Sequence, residues 1–335
     1  MKNFLSLING RISWMIAIIF LGTWLCAELF LARWGDNNLP IQRAIQGYTL
    51  TSDILFMGNS RVAAGIKPSV ITQASSKSLK YPVSSYNLAI GSTPFGIHYL
   101  LFKHLVKQGK QPKTLIYGFV DNELTDTIFF DDAYLAQVSR VEDFPLLFEK
   151  SFLTIDSRSD LVVKKISRVY RYRFNIREAL GKILTNSQIE GSRRNNNAGG
   201  FQDFRNIVRK EAITQLIKSE EGRYEELYSN LKYWTFEPSK TYLEDFIKLA
   251  SQAKVKVIFV QMPITHLHNK MAQKSFYRKE YFEQLRRYLI NYGIPLYNLS
   301  DMESDNHIPD TMHLSDEGAT SFTQILFDKV IRPQI

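Results

Sequence analysis

Between Ile12 and Leu31 the chain reads "ISWMIAIIFLGTWLCAELFL", apolar on every side except at Glu28. Twenty residues at helical rise cover roughly 30 Å, the thickness of a hydrocarbon core. Beyond this segment the pattern changes. Short apolar runs ending in Gly or a polar residue predict buried strands: "DILFMG" (53–58), "SSYNLAIG" (84–91), "TLIYGFVD" (114–121), "VKVIFVQMP" (255–263) and "IPLYNLSD" (294–301). Between them, apolar positions recur at helical spacing. "PFGIHYLLFKHLVKQG" (94–109), "SKTYLEDFIKLASQAK" (239–254), "YFEQLRRYLINYG" (281–293) and "SDEGATSFTQILFDKVI" (315–331) are the expected helices. Strands alternating with helices predict an α/β fold, a doubly wound parallel five-stranded sheet covered on both faces. Ligands in such sheets bind at the C-terminal ends of the strands.

The alternation breaks over residues 127–238, which read as an insertion. Within it, residues 161–182 hold seven Lys/Arg against one Glu, and "SRRNNNAGG" (192–200) is a loop by composition. The basic stretch suits either a helix facing anionic lipid or a solvated charged face. The expected organisation is a cytoplasmic stub and transmembrane anchor over 1–34, a linker over 35–50, and one domain over 51–335 carrying the insertion.

Lys2 and Arg11 precede the apolar segment, and Trp14 and Trp34 sit near its ends. Basic residues before a span favour a cytoplasmic N-terminus, and Trp favours the interface. A cleaved signal peptide has a core of about 7–15 residues, shorter than this one. A lipoprotein signal would place small residues before Cys26, where the chain has "TWL". The segment is therefore expected to be a retained anchor in the cytoplasmic membrane, with the rest of the chain outside the cytoplasm.

Composition changes this picture little. The 335 residues carry a net charge of +9 and 22% charged residues, a globular composition. No zinc-finger spacing, RNP-type aromatic motif or zipper heptad accompanies the positive charge, so nucleic acid is not an expected partner. The single cysteine excludes an intrachain disulfide and a multi-cysteine zinc site. No cofactor and no metal are expected. His98, His104, His266 and His268 show no ligand pairing, and "HLH" at 266–268 reads as loop or surface.

Chemistry-bearing residues fall where the strands should end. Ser60 follows the first strand in "GNSR". Gly91 follows the second, "VDNE" (120–123) the third, and Gln261 closes the fourth. "DTMHLSDEG" (310–318) precedes the last helix. There Asp310 and His313 stand three apart, so one turn of chain supplies a carboxylate and an imidazole. A neutral histidine accepts the proton of a serine hydroxyl, and a carboxylate on its other nitrogen fixes the tautomer. Ser315 is a candidate N-cap for the last helix.

In this order these segments resemble the SGNH (GDSL-like) hydrolase superfamily. "FMGNSR" looks like its first block, with Ser60 as nucleophile. "NLAIGSTPFG" looks like its second, with Gly91 as the oxyanion-hole glycine. "DTMHLSDEGA" looks like its last, with Asp310 and His313 completing the triad. The wording is closest to the membrane-anchored branch that includes alginate O-acetyltransferase-like and D-alanyl-transfer proteins. The resemblance covers about residues 50–125 and 240–330. It implies a flavodoxin-like three-layer sandwich and an oxyanion hole built from the Ser60 and Gly91 amides. Two departures stand out. Asn59 replaces the usual Asp, and "YGFVDNELTD" replaces the usual Gly-x-Asn-Asp. Asn122 is then either the third oxyanion donor or a turn former.

The function expected is a membrane-anchored serine esterase or O-acyltransferase acting through an acyl-enzyme at Ser60. Arg61 and Gln261 are candidates for substrate contact. The resemblance implies a glycan or other ester-bearing substrate in the cell envelope, and a multispanning acyl-donor protein as partner. The rival expectation is a catalytically impaired scaffold or glycan-binding component of envelope polysaccharide assembly, motivated by the atypical third block and the basic insertion.

Overall fold

A computed structural model of the chain describes residues 2–38, 45, 48, 52–79, 81–125, 132–150, 155–173, 176–177 and 210–335. Most of the expected linker, and the loop at 192–200 with the rest of 178–209, lie outside the described residues. Internal contacts divide the chain into two compact units. One comprises Met1–Arg43, Asp132–Phe144 and Phe152–Gly191; the other comprises Ala44–Asp131, Pro145–Ser151 and Ser192–Ile335.

In chain order the labelled elements are α1 (Lys2–Asn38), β1 (Ile54–Met57), α2 (Ser60–Gly65), α3 (Pro68–Ser78), β2 (Ser85–Asn87), α4 (Phe95–Lys107) and β3 (Thr114–Phe119). They continue with α5 (Asp132–Val138), α6 (Phe144–Lys150), α7 (Ile155–Ile166), α8 (Arg168–Arg171) and α9 (Lys210–Ser229). The last are α10 (Leu243–Gln252), β4 (Lys256–Gln261), α11 (His266–Lys274), α12 (Phe276–Asn291), β5 (Leu296–Asn298) and α13 (Asp316–Leu326).

The larger unit holds the sheet, ordered β2-β1-β3-β4-β5, with every neighbouring pair parallel. This is the flavodoxin-like order of an α/β fold. Register aligns the strand ends: Met57 pairs with Tyr117, and Phe119 with Gln261. The two faces differ in chemistry because strand side chains alternate. Ile54, Phe56, Ile116, Ile258 and Val260 join a largely aliphatic core with Val62, Phe322 and Leu326 from α2 and α13. On the other face Tyr117 packs edge-on against Phe95 of α4 at 4.9 Å, and Phe95 lies 5.2 Å from Phe246 of α10. Each such side chain, fully buried, contributes roughly 1.5–3 kcal/mol of transfer free energy.

Two glycines let α2 sit close to the sheet. A side chain on Gly58, at φ +149°, would come within 2.4 Å of the Gly118 carbonyl oxygen and of Val62. One on Gly118 would meet Val62 at 2.4 Å and the Met262 sulfur at 2.9 Å. The Gly that ends the first apolar run therefore has a steric reason. It brings the chain from β1 straight into α2 at the strand's C-terminal end.

The smaller unit contains α1, whose stretch Trp14–Arg33 is long and apolar enough to cross a membrane. Its one carboxylate in the apolar run is not free. Glu28 is buried and accepts hydrogen bonds from the Ser167 hydroxyl (2.5 Å) and from the Arg168 and Val169 amides (2.8 and 3.1 Å). It thus caps the first turn of α8. Part of the basic stretch is also committed inside this unit. Lys164 pairs with Asp160, Arg171 Nε donates to the Lys164 carbonyl at 2.8 Å, and Lys165 Nζ donates to the Ala136 carbonyl of α5 at 3.1 Å.

Candidate active site

Ser60 is the first residue of α2. Asn59 caps that helix, its Oδ1 accepting the Arg61 amide at 2.9 Å. Its Nδ2 donates to the Glu123 carboxyl after β3. Asn59 thereby ties the end of β1 to the end of β3, a structural use for the residue that stands where the resemblance leads one to expect Asp. Gly91 lies against Ser60, since a Cβ built on Gly91 would stand 3.3 Å from the Ser60 Cβ. Ser92, immediately after it, has φ +59°.

Asn59, Ser60, Arg61, Asn122 and Glu123 line a cavity of about 380 Å³ together with residues of α9, His268 and Met312. Asn122 is buried, and its Nδ2 donates to the Tyr233 carbonyl at 2.7 Å. That bond uses one of the two amide protons and fixes the side chain's orientation.

Asp310 and His313 meet as the spacing suggested. Asp310 Oδ2 lies 2.7 Å from His313 Nδ1, and Oδ1 accepts the Met312 and His313 amides at 3.0 and 2.6 Å. One carboxylate folds the loop and orients the ring. Burial opposes its ionisation, but these bonds from His313 and Met312 outweigh burial and hold the carboxyl below its ordinary range. Thr311 between them takes φ +67°. With Nδ1–H given to Asp310, the acceptor lone pair is on Nε2. Met312, next in the chain, lines the cavity that Ser60 lines. Ser315 Oγ accepts the Gly318 amide at 3.1 Å and caps α13.

Gln261 is buried at the end of β4, and its Nε2 has no hydrogen-bond partner among the described residues. It does not line the cavity. Arg61 does, and it is 8% exposed.

The structure adds residues that the sequence reading missed. "HLH" is not a loop: it opens α11, where His266 is exposed but His268 is buried in the cavity wall. Thr265 caps this helix through the His268 amide at 3.3 Å, a signal present in the sequence. His268 Nε2 lies 2.7 Å from Asp121 Oδ2 and 2.5 Å from the Tyr228 hydroxyl. The Tyr224 ring stacks on the imidazole at 3.9 Å. Arg278 Nε reaches the other Asp121 oxygen at 3.3 Å. Burial works against the charge of Asp121, but His268 and the Arg278 guanidinium outweigh it and hold the carboxyl far below its ordinary range. Burial pushes the His268 imidazole down, against the pull of Asp121. Asp121 itself takes φ +53°. Ser92, Asp121 and Thr311 are thus three non-glycine residues held at positive φ, each beside a candidate site residue. Such strain persists where surrounding structure over-determines it.

Glu123 behaves differently from Asp121. Its Oε2 accepts the Val120 amide at 2.8 Å, yet burial pushes its carboxyl up to about 7. His98 is structural. Buried in α4, it binds the Tyr117 hydroxyl through Nδ1 at 2.6 Å and the Thr93 hydroxyl through Nε2 at 2.8 Å, and burial pushes it down to about 3. Among the described residues no cluster of three His, Cys, Asp or Glu side chains is placed to hold a metal ion.

No curated protein matches the chain. A solved structure from Bacteroides fragilis, described as an acylhydrolase candidate, superposes with a TM-score of 0.37 at 11% identity, covering 88% of this chain and 97% of its own. A family model described as a protein of unknown function, DUF1574, matches residues 51–330. That match spans the whole sheet and every candidate site residue from Ser60 to His313, and the chain belongs to this family.

Proposed function

We propose that the protein is a membrane-anchored serine esterase or O-acyltransferase of SGNH type, acting on an ester of a cell-envelope or secreted glycan. The observation that carries this reading is the apposition of Gly91 and Ser60 at the end of β1, on a cavity that Met312, from the loop of the Asp310–His313 pair, also lines. In the proposed reaction the Ser60 hydroxyl adds to the ester carbonyl carbon as its proton passes to His313 Nε2. Asp310 holds the opposite nitrogen and stabilises the imidazolium. The Ser60 and Gly91 amides, with Asn122 as the third candidate donor, receive the oxyanion. Collapse expels the alcohol, which takes the proton from His313, and leaves an acyl-enzyme. Water or a sugar hydroxyl then reverses the sequence on the acyl carbon.

The localisation follows from α1. Lys2 and Arg11 precede the apolar stretch, which favours a cytoplasmic N-terminus and a domain outside the cytoplasm. A glycan substrate and a multispanning acyl donor come from the SGNH resemblance. The test is direct. Wild type hydrolyses 4-nitrophenyl acetate and is labelled at Ser60 by a fluorophosphonate; Ser60→Ala loses both. Equal hydrolysis by both proteins would falsify the nucleophile assignment. Folded wild type that takes no label favours the non-catalytic scaffold instead.

A further inference from the structure

Arg61 is a buried cation that makes no salt bridge with the described residues. The side chain is more than nine-tenths buried and lines the cavity beside Ser60. Its Nη1 has no hydrogen-bond partner among the described residues. Buried guanidinium groups are normally paired, because stripping water from a charge costs several kcal/mol unless a counter-charge replaces it.

The nearby carboxylates are each engaged elsewhere. Asp121 is bound to His268 and Arg278. Glu123 directs one oxygen to Asn59 and the other to the Val120 amide. Glu220 pairs with Arg223, and Glu226 accepts the Tyr233 hydroxyl at 3.2 Å. Within salt-bridge distance of Arg61 the described residues supply no carboxylate. Its charge is felt by Glu123, Tyr224 and His268, none of which forms a hydrogen bond to it. Arg61 stands one residue after Ser60, and its backbone amide is held by the Asn59 cap at the head of α2.

We propose that Arg61 anchors an anion subsite in this cavity, which receives a carboxylate or phosphate borne by the substrate whose ester is presented to Ser60. The link to an ester rests on the esterase reading; the anion subsite does not. Arginine's planar fork suits both groups, binding two oxygens at once.

Calorimetric titration of the full chain in neutral detergent tests it with three probes: benzoate, phenyl phosphate and the uncharged isostere benzamide. A charge-assisted bond of the usual strength predicts that at least one anion binds roughly 10- to 100-fold tighter than benzamide. Benzoate against phenyl phosphate then separates a carboxylate from a phosphate subsite. Arg61→Met is expected to abolish the preference while retaining the wild-type circular dichroism. Arg61→Lys, which keeps the charge without the fork, is expected to lose about tenfold and carries the test if the Met variant does not fold. Benzamide binding as tightly as both anions overturns the proposal, as does anion affinity that the substitution leaves unchanged. Anion selectivity in a protein that no fluorophosphonate labels would uphold the subsite and reject the esterase.

Discussion

The candidate site contains two Asp–His couples that solve the same problem in opposite ways. Asp310 and His313 are neighbours in one loop, and their side chains keep 11% and 14% of their surface. Asp121 and His268 come from the ends of β3 and the start of α11, and their side chains keep 5% and 2%. In the first couple Asp310 takes Nδ1. In the second Asp121 takes Nε2 and is itself pinned by Arg278. The local couple is cheap to assemble, since one turn of chain supplies both members, and it is the less buried of the two. The long-range couple is sealed among Tyr224, Tyr228 and Arg278, where it ties α9, α11 and α12 to the strand end. Identical residue types thus divide into a local couple, the one proposed for catalysis, and a long-range couple that holds the wall of the cavity.

Substitutions that separate these roles should differ in kind. The largest effect is expected at His313. His313→Gln should lower kcat for 4-nitrophenyl acetate by on the order of 10³-fold or more, with the urea midpoint unmoved. A residual rate within tenfold of wild type would erase the contrast. Asp121→Asn should show the reverse, losing about 3–5 kcal/mol of stability in urea because Arg278 is left without its charge partner. A loss under about 0.5 kcal/mol would show that the sealed couple holds nothing together.

The smallest effect concerns Glu123, which stands between the couples. Its carboxyl is raised by burial to about 7 from an ordinary 4.5, so the folded protein keeps a proton that the unfolded chain releases. Its contribution is fully present below pH 4.5 and is lost as pH rises through 7. Glu123→Gln should therefore flatten the decline of Tm between those limits, measured by differential scanning calorimetry across the pH series. An unchanged slope would assign the decline to other groups.

What could be read in the chain follows the distance over which each feature is encoded. The five strands are short apolar runs closed by Gly or polar residues, and the structure has all five in parallel. Asp310 and His313 were legible because three residues separate them. The pairing of Asp121 with His268 spans 147 residues, and nothing in either local segment marks the other. "HLH" misled because polar–apolar alternation imitates a strand, while the Thr265 cap that opens a helix there went unweighed. Helix α3 was missed for another reason. "PSVITQASSKS" buries only Pro68, Ile71, Ala74 and Ser75, too few apolar positions to give a clear period, although Pro68 at its first turn is a fair start signal. Arg61 was singled out for its place beside Ser60. Its burial without a salt bridge comes from folding and has no counterpart in composition.

Glu28 adds a constraint on timing. Its partners at Ser167, Arg168 and Val169 are encoded 139 to 141 residues downstream. At roughly 5–20 residues per second of synthesis, the carboxylate waits about 7–28 seconds before those donors leave the ribosome. For that interval α1 carries an exposed acid in an otherwise apolar run, and only the later arrival of α8 completes it. Helix α1 is therefore finished only once the chain has reached Val169, about half of its 335 residues.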